Sequence, residues 1–448
     1  MRGRRLRVIS TMVIMVVVLA GCDWSMFRGG PDHTGYNPGE TTIGVGNVAS
    51  LVKKWSTTTG GPVESSPAVA NGVAYIGSDD NSLYAFDAAG NTNCSGSPKT
   101  CSPLWRAGTG GRVTSSPAVA GGVVYVGSED GKLYAFDAAG NTYCGGSPKT
   151  CYPLWTAQVG YTVGSSPVIA GGVIYIGSYD QKLYAFDAAG NTNCSGVPKT
   201  CAPLWTATTG QVVPSSPAVA GGVVYVGSYD SKLYAFDASG TTNCAGSPKT
   251  CAPLWTGATG SYVDSSPAVA GGVVYIGSED TKLYAFDASG TTNCAGSPKT
   301  CAPLWTAATN GPIRSSAAVA NGVVYIGSSL PVLGAPTFNN FYAFDAAGNT
   351  NCSGVPKTCA PLWTGTSGYS SVSSSPAVAN GMVYVGADDG IVYGFDAGGS
   401  IDCSGSTEIC LPLWTAGTGG LVLSSPAVAN GMVYVGSYDG KLYAYGLR

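Results

Sequence analysis

One pattern returns eight times along this 448-residue chain at a spacing near 50 residues. Its fullest form runs from a tryptophan through S-S-P-A-V-A-G-G-V-V-Y-V-G-S to K-L-Y-A-F-D-A. The Ser-Ser anchor begins at Ser65, Ser115, Ser165, Ser215, Ser265, Ser315, Ser374 and Ser424. The matching tryptophans are Trp55, Trp105, Trp155, Trp205, Trp255, Trp305, Trp363 and Trp414. Such a period belongs to arrays whose units cannot bury a core alone, either open solenoids or closed propellers.

Each unit reads as four short strands, A to D. Strand A is S-P-A-V-A, and a Gly-Gly or Asn-Gly pair turns it into strand B, V-V-Y-V-G-S. A turn containing aspartate leads to strand C, K-L-Y-A-F-D, and strand D is P-L-W-T. Strand B is apolar at successive positions, as from Val123 to Val126, which suits a sheet buried on both faces. The two ends of the array decide between stack and ring. The last unit stops at Arg448 without a strand D, while Leu51 to Thr57 is a strand D with no strands A to C before it. Pairing the two closes the ring and removes an open sheet edge. The expected fold is all-β, an eight-bladed β-propeller of four-stranded antiparallel blades over residues 51–448, closed by its N-terminal strand, with a leader at 22–50.

Of fifteen cysteines, fourteen form seven C-x6-C pairs: Cys94/Cys101, Cys144/Cys151, Cys194/Cys201, Cys244/Cys251, Cys294/Cys301, Cys352/Cys359 and Cys403/Cys410. Each pair flanks a Gly/Ser-rich stretch between strands C and D, which predicts seven small disulfide loops and an oxidising compartment. A zinc reading lacks the shorter Cys spacing and the histidines such sites use, since His33 is the only histidine. The odd cysteine is Cys22. It follows a basic stretch, MRGRRLR, and an apolar run from Val8 to Ala20 that is too short to span a bilayer. Leu19-Ala20-Gly21-Cys22 resembles the bacterial lipobox, which implies a signal peptide over 1–21, cleavage before Cys22 and lipid on its sulfur. The formal charge is −3, and removing residues 1–21 takes away Arg2, Arg4, Arg5 and Arg7 and no acid, leaving −7. That surface offers no basic footprint for nucleic acid.

At L-Y-A-F-D-A-x-G followed by Trp, the repeat resembles that of the quinoprotein-type (PQQ-like) propellers, whose tryptophan-docking motif is A-x-D-x-x-T-G-x-x-x-W. Ala85, Asp87, Gly90 and Trp105 match it in the first unit, and Ala135, Asp137, Gly140 and Trp155 in the second. The motif's Thr is Ala or Ser here, and the disulfide loop separates Gly from Trp. The resemblance implies that each Trp wedges between blades and each Asp ties down its own turn. It brings two functional classes: dehydrogenases that hold pyrroloquinoline quinone and usually Ca2+ in the propeller centre, and non-catalytic lipoproteins like the propeller of the outer-membrane β-barrel assembly machinery. The dehydrogenases' adjacent cysteines are absent, and eight of nine tryptophans are committed to docking, with Trp24 in the leader. No catalytic residue, metal site or cofactor is therefore assigned. The quinone with Ca2+ remains the alternative, as a PQQ-dependent dehydrogenase.

Binding residues are expected where the units differ. The D–A loops carry Glu64, Arg112, Tyr161, Gln211, Tyr262, Asp264 and Arg314, and the B–C turns alternate Asp79, Glu129, Tyr179, Tyr229, Glu279 and Tyr438. In this strand order both loop sets share one face, and the one long insertion, 329–340, falls in a B–C loop. The other face is expected to carry the disulfide loops, six of them with a lysine from Lys99 to Lys357. The aspartates of the B–C turns read as turn formers rather than calcium ligands. The reading is of a monomeric, membrane-anchored, extracytoplasmic lipoprotein that binds an envelope protein or glycan and touches the membrane through its Cys22 lipid only.

Overall fold

The computed structural model describes residues 23–329, 339–368, 370–405 and 408–448. Eight sheets form a closed ring of blades. In blade 1, strand A is Ala68–Ala70, B is Val73–Ser78, C is Ser82–Asp87 and D is Trp105–Gly108. The same letters apply to the other blades. Blade 8 is made of Ala427–Ala429, Met432–Ser437 and Lys441–Leu447, with Leu51–Thr57 as its outer strand. The closure runs antiparallel in the register Leu51↔Leu447, Val52↔Gly446 and Trp55↔Ala444, with a bulge between Lys53 and Trp55. Successive residues of strand B, such as Val124, Tyr125 and Val126, are fully buried because each blade is covered on both faces.

The tryptophans lock each blade to the next. The Trp55 indole N–H donates to the Ala88 carbonyl at 3.1 Å, and Trp105 donates to Ala138 at 3.2 Å. A Cβ on Gly90 would stand 2.1 Å from Trp55 Cδ1, so only glycine admits the ring. Its positive φ of 66° also suits glycine. Tyr75 on strand B sends its hydroxyl to the same Ala138 carbonyl at 2.9 Å. At the seam, blade 8 lacks this turn, and Trp414 donates instead to the Leu51 carbonyl at 3.3 Å. Asp87 works on its own turn: burial pulls its carboxyl up, but N–H bonds from Thr92, Asn91 and Ala89 outweigh that and hold it below the usual carboxylate range.

One expectation needs correction. Seven sheets have six strands and one has five, rather than four each. The extra pair is the disulfide loop itself, a two-stranded hairpin that leaves its own blade and pairs in parallel with strand D of the preceding one. Thus Thr150 and Cys151 lie beside Arg106 and Ala107, and the Arg106 N–H donates to the Lys149 carbonyl at 3.1 Å. The hairpins therefore form a girdle around the outside of the ring. An outer strand with bare N–H and C=O groups is a liability, and each hairpin covers the neighbour's.

All seven pairs are bonded within their own hairpins, as the spacing predicts: Cys94–Cys101, Cys144–Cys151, Cys194–Cys201, Cys244–Cys251, Cys294–Cys301, Cys352–Cys359 and Cys403–Cys410. The second member of each pair, Cys101, Cys151, Cys201, Cys251, Cys301, Cys359 or Cys410, is buried, and the first is half-buried. The parallel register is the cause. It lays Cys251 beside Ala207, Cys301 beside Gly257, Cys359 beside Ala307 and Cys410 beside Gly365, each on strand D of the preceding blade. Each disulfide therefore packs into the blade boundary as part of the core, while the hairpin tips stay in solvent.

The inner edge is covered by a different device. The leader winds along strand A around the ring: Trp24 bridges Val69 of blade 1, and the carbonyls of Ser25, Pro31, Asp32, Thr34 and Gly35 accept N–H bonds from Val119, Val219, Val269, Val319 and Val378. Tyr36–Asn37 adds a parallel fifth strand to blade 7, and Asn37 Nδ2 donates to Val428 of blade 8 at 2.8 Å. Met26 packs into the cluster around blade 3. Residues 24–37 thus fill the channel at the end that carries the A–B turns.

Candidate binding site at the channel mouth

The Ser-Ser anchors set the channel's other end. In each unit the first serine accepts the N–H of the strand B glycine, as Ser65 does from Gly77 at 3.1 Å, fixing A against B. The second serine reaches the neighbouring blade. Ser66 N–H donates to Ser116 Oγ, Ser116 to Ser166, and so on until Ser425 donates to Ser66 Oγ, at 2.9–3.0 Å throughout. Eight serines therefore close a continuous hydrogen-bonded ring inside the channel. Sequence reading used Ser-Ser only as a marker of the repeat. The strict pairing of a Ser-Ser with each Pro or Ala was the available signal for it.

Beyond this ring the variable loops meet. Arg112 pairs with Glu129 of the following blade at 2.8 Å and Asp79 of the preceding one at 3.4 Å. Burial and the Asp79 charge raise Glu64 above its ordinary value, and burial likewise raises Asp79 despite Arg112. Across the mouth, the Tyr229 hydroxyl donates to Asp264 at 2.6 Å and its ring stacks on Tyr262 at 5.0 Å between centroids. Arg314 joins Glu279 at 3.0 Å and reaches Asp264 at 3.9 Å. Tyr179 lies close enough for the Asp264 and Glu129 charges to raise its hydroxyl, after burial. Burial also raises Asp264 and Asp388.

The structure thus brings Glu64, Arg112, Tyr179, Tyr229, Tyr262, Asp264 and Arg314 into one belt. Tyr161 and Gln211 stand at the same rim with their side chains in solvent. Asp388, Asp79, Glu129 and Glu279 complete the belt. The aspartate that follows the variable residue of the B–C turn ties down the turn in blades 1 and 2: Asp130 accepts the Tyr134 hydroxyl at 2.5 Å, and Asp80 accepts Tyr84 and the Gly60 N–H. Cys22 and most of the 329–340 insertion lie outside the described residues. No helix among the described residues is long and apolar enough to cross a membrane.

A family model described as outer membrane protein assembly factor BamB matches residues 97–240 and 194–290. Over that stretch the repeats resemble the quinoprotein propeller type. A search of curated proteins returns no match. Among solved structures, BamB from Moraxella catarrhalis superposes with a TM-score of 0.60 at 16% identity, covering 88% of this chain and 99% of the other. A europium-containing methanol dehydrogenase gives 0.66 at 14% identity, covering 95% and 98%. The quinohemoprotein alcohol dehydrogenase from Comamonas testosteroni gives 0.63 at 16%, covering 94% and 80%. At these identities the likeness is one of fold.

The quinone that such dehydrogenases use is a flat, anionic ring system, and the two ends of this chain's channel are lined differently. One end is filled by the leader. There Arg28 is buried and donates to the carbonyls of Pro376 and Ala317, and burial, with the Arg28 charge beside it, pushes His33 down to about 3. The other end is ringed by carboxylates paired with Arg112, Arg314 and Tyr229. All nine tryptophans are buried in the blades or the leader, so none is free to stack on a ligand.

Proposed function

We propose that this chain is an exported, lipid-anchored propeller that binds an envelope partner, a protein or a glycan, at the mouth belt and performs no chemistry there. The observation that carries this reading is the contrast within the ring. Everything repetitive, from the docking tryptophans to the serine ring, is spent on holding blades together, while the variable side chains of the D–A and B–C loops gather at one rim. Their mixture of stacked tyrosines and arginine–carboxylate pairs is the composition of recognition surfaces. The lipobox at Cys22 and the seven disulfides support an extracytoplasmic place in the envelope.

The test is affinity capture from envelope extract with the full chain and with a Tyr229→Ala/Tyr262→Ala/Arg314→Ala variant. A partner held by the parent and lost by the variant, at unchanged melting temperature, is expected. A partner held equally by both overturns the mouth assignment. Dye-linked alcohol oxidation after adding the quinone and Ca2+ would replace the binding reading with the dehydrogenase one.

A further inference from the structure

The leader ends at a defined place. The Asp23 carboxylate accepts the Asn71 N–H at 3.2 Å, on the A–B turn of blade 1, with Trp24 bridged to Val69 just inside the channel. Asp23, the residue that follows Cys22 in the sequence, therefore stands at the A–B end of the ring, opposite the mouth. The hairpins reach the same end. Their parallel register runs Trp55↔Lys99, Ser56↔Thr100 and Thr57↔Cys101 toward the mouth, so tip residues preceding Lys99 lie at the A–B end.

Those hairpins and their returns to strand D carry most of the molecule's exposed apolar side chains. Val197 and Val355 at two tips are fully exposed, and Tyr143, Tyr152, Ile401 and Leu411 stand out beside them. They occur on blades 2, 3, 6 and 7, on both sides of the ring, so a plane laid against this end meets several at once. The mouth exposes tyrosines too, but among carboxylates that repel phosphate headgroups. Charge does not make the A–B end attractive to anions. Lys99, Lys199, Lys249 and Lys299 are turned back onto the carbonyls of Gly90, Gly190, Gly240 and Gly290 at 2.8–3.0 Å, beside the turn aspartates.

We propose that this end is a membrane-docking face whose occupant is a lipid surface, met by apolar tips rather than by charge, with the mouth held pointing away from the bilayer. This rests on the anchor reading above for what precedes Asp23. Apolar and tyrosine side chains at the headgroup boundary are the interaction such a surface favours.

The experiment uses the full chain carrying Val197→Trp, Val355→Trp or Tyr438→Trp, reconstituted with phosphatidylcholine vesicles whose acyl chains are brominated or plain. The native tryptophans are buried and give a constant background. Bromine is expected to reduce the added emission about twofold for the two tip variants and to leave the mouth variant unchanged, at low and high salt alike. Equal quenching at tip and mouth, stronger quenching at the mouth, or loss of tip quenching in salt overturns the proposal. Mass spectrometry of Cys22 reads the anchor separately, so absent lipid with persistent tip quenching sinks the anchor reading alone. Lipid on Cys22 with unquenched tips sinks only the docking face.

Discussion

Every blade has two raw edges, and this chain covers the inner ones and, blade 7's Trp414–Gly417 excepted, the outer ones in opposite ways. The outer edge is closed by a local device repeated seven times, the disulfide hairpin reaching one blade backward. The inner edge is closed once, by a single non-repetitive segment whose backbone serves strand A around the ring. Redundant closure makes each copy dispensable. Unique closure makes one segment answerable for all eight blades. The seam teaches the same lesson, because where blade 8 lacks its C–D turn the Leu51 carbonyl of the closing strand takes over the bond from Trp414.

The largest effect is expected from Gly35→Val in the leader. A Cβ there would stand 2.2 Å from Arg28 Nη2, and the residue has a φ of 61°. Displacing Arg28 strands a buried guanidinium and the carbonyls of Pro376 and Ala317, so a loss of roughly 4 kcal/mol or more is expected in urea unfolding. Hydrogen exchange should rise along strand A in many blades at once. Protection lost in blade 7 alone would show that the leader does not act as one unit.

Removing one outer clasp, Cys194→Ser with Cys201→Ser, should cost less, about 2–3 kcal/mol. Because this hairpin covers strand D of blade 2, exchange should rise at Trp155–Gln158 and not in blade 3's own outer strand. Faster exchange at Trp205–Thr208 instead would reverse the direction of the clasp.

The smallest effect separates inner rim from outer turns by pH. Glu64, Asp79, Asp264 and Asp388 have raised folded values, so they favour the fold below their unfolded value and cost stability as pH rises through the folded one. Asp87, Asp137, Asp187 and Asp345 have lowered values, so their contribution is present above the unfolded value and disappears as pH falls below it. The urea midpoint should therefore hold or rise slightly from about pH 6 to 4 and drop below about 4. The turn carboxylates are largely exposed, so salt should flatten the drop. A midpoint that falls steadily from neutral pH would contradict this division.

Much of the ring was legible in the sequence. Eight Trp and Ser-Ser marks, the missing strand D after Tyr445 and the orphan strand at Leu51 determined blade count and closure, because strand alternation, glycine turns and complementary ends are local signals. The same comparison of units placed the variable residues at one rim. What the chain's order could not show is which blade a side chain or hairpin serves. Trp55 docks on Gly90, the second serines join across blades, Cys101 lies beside the strand before its own, and the leader fills the channel. These contacts join residues about 35 or more positions apart, and several repeats offer chemically identical partners. Only the closed ring, by fixing which neighbour stands within hydrogen-bond reach, decides among them.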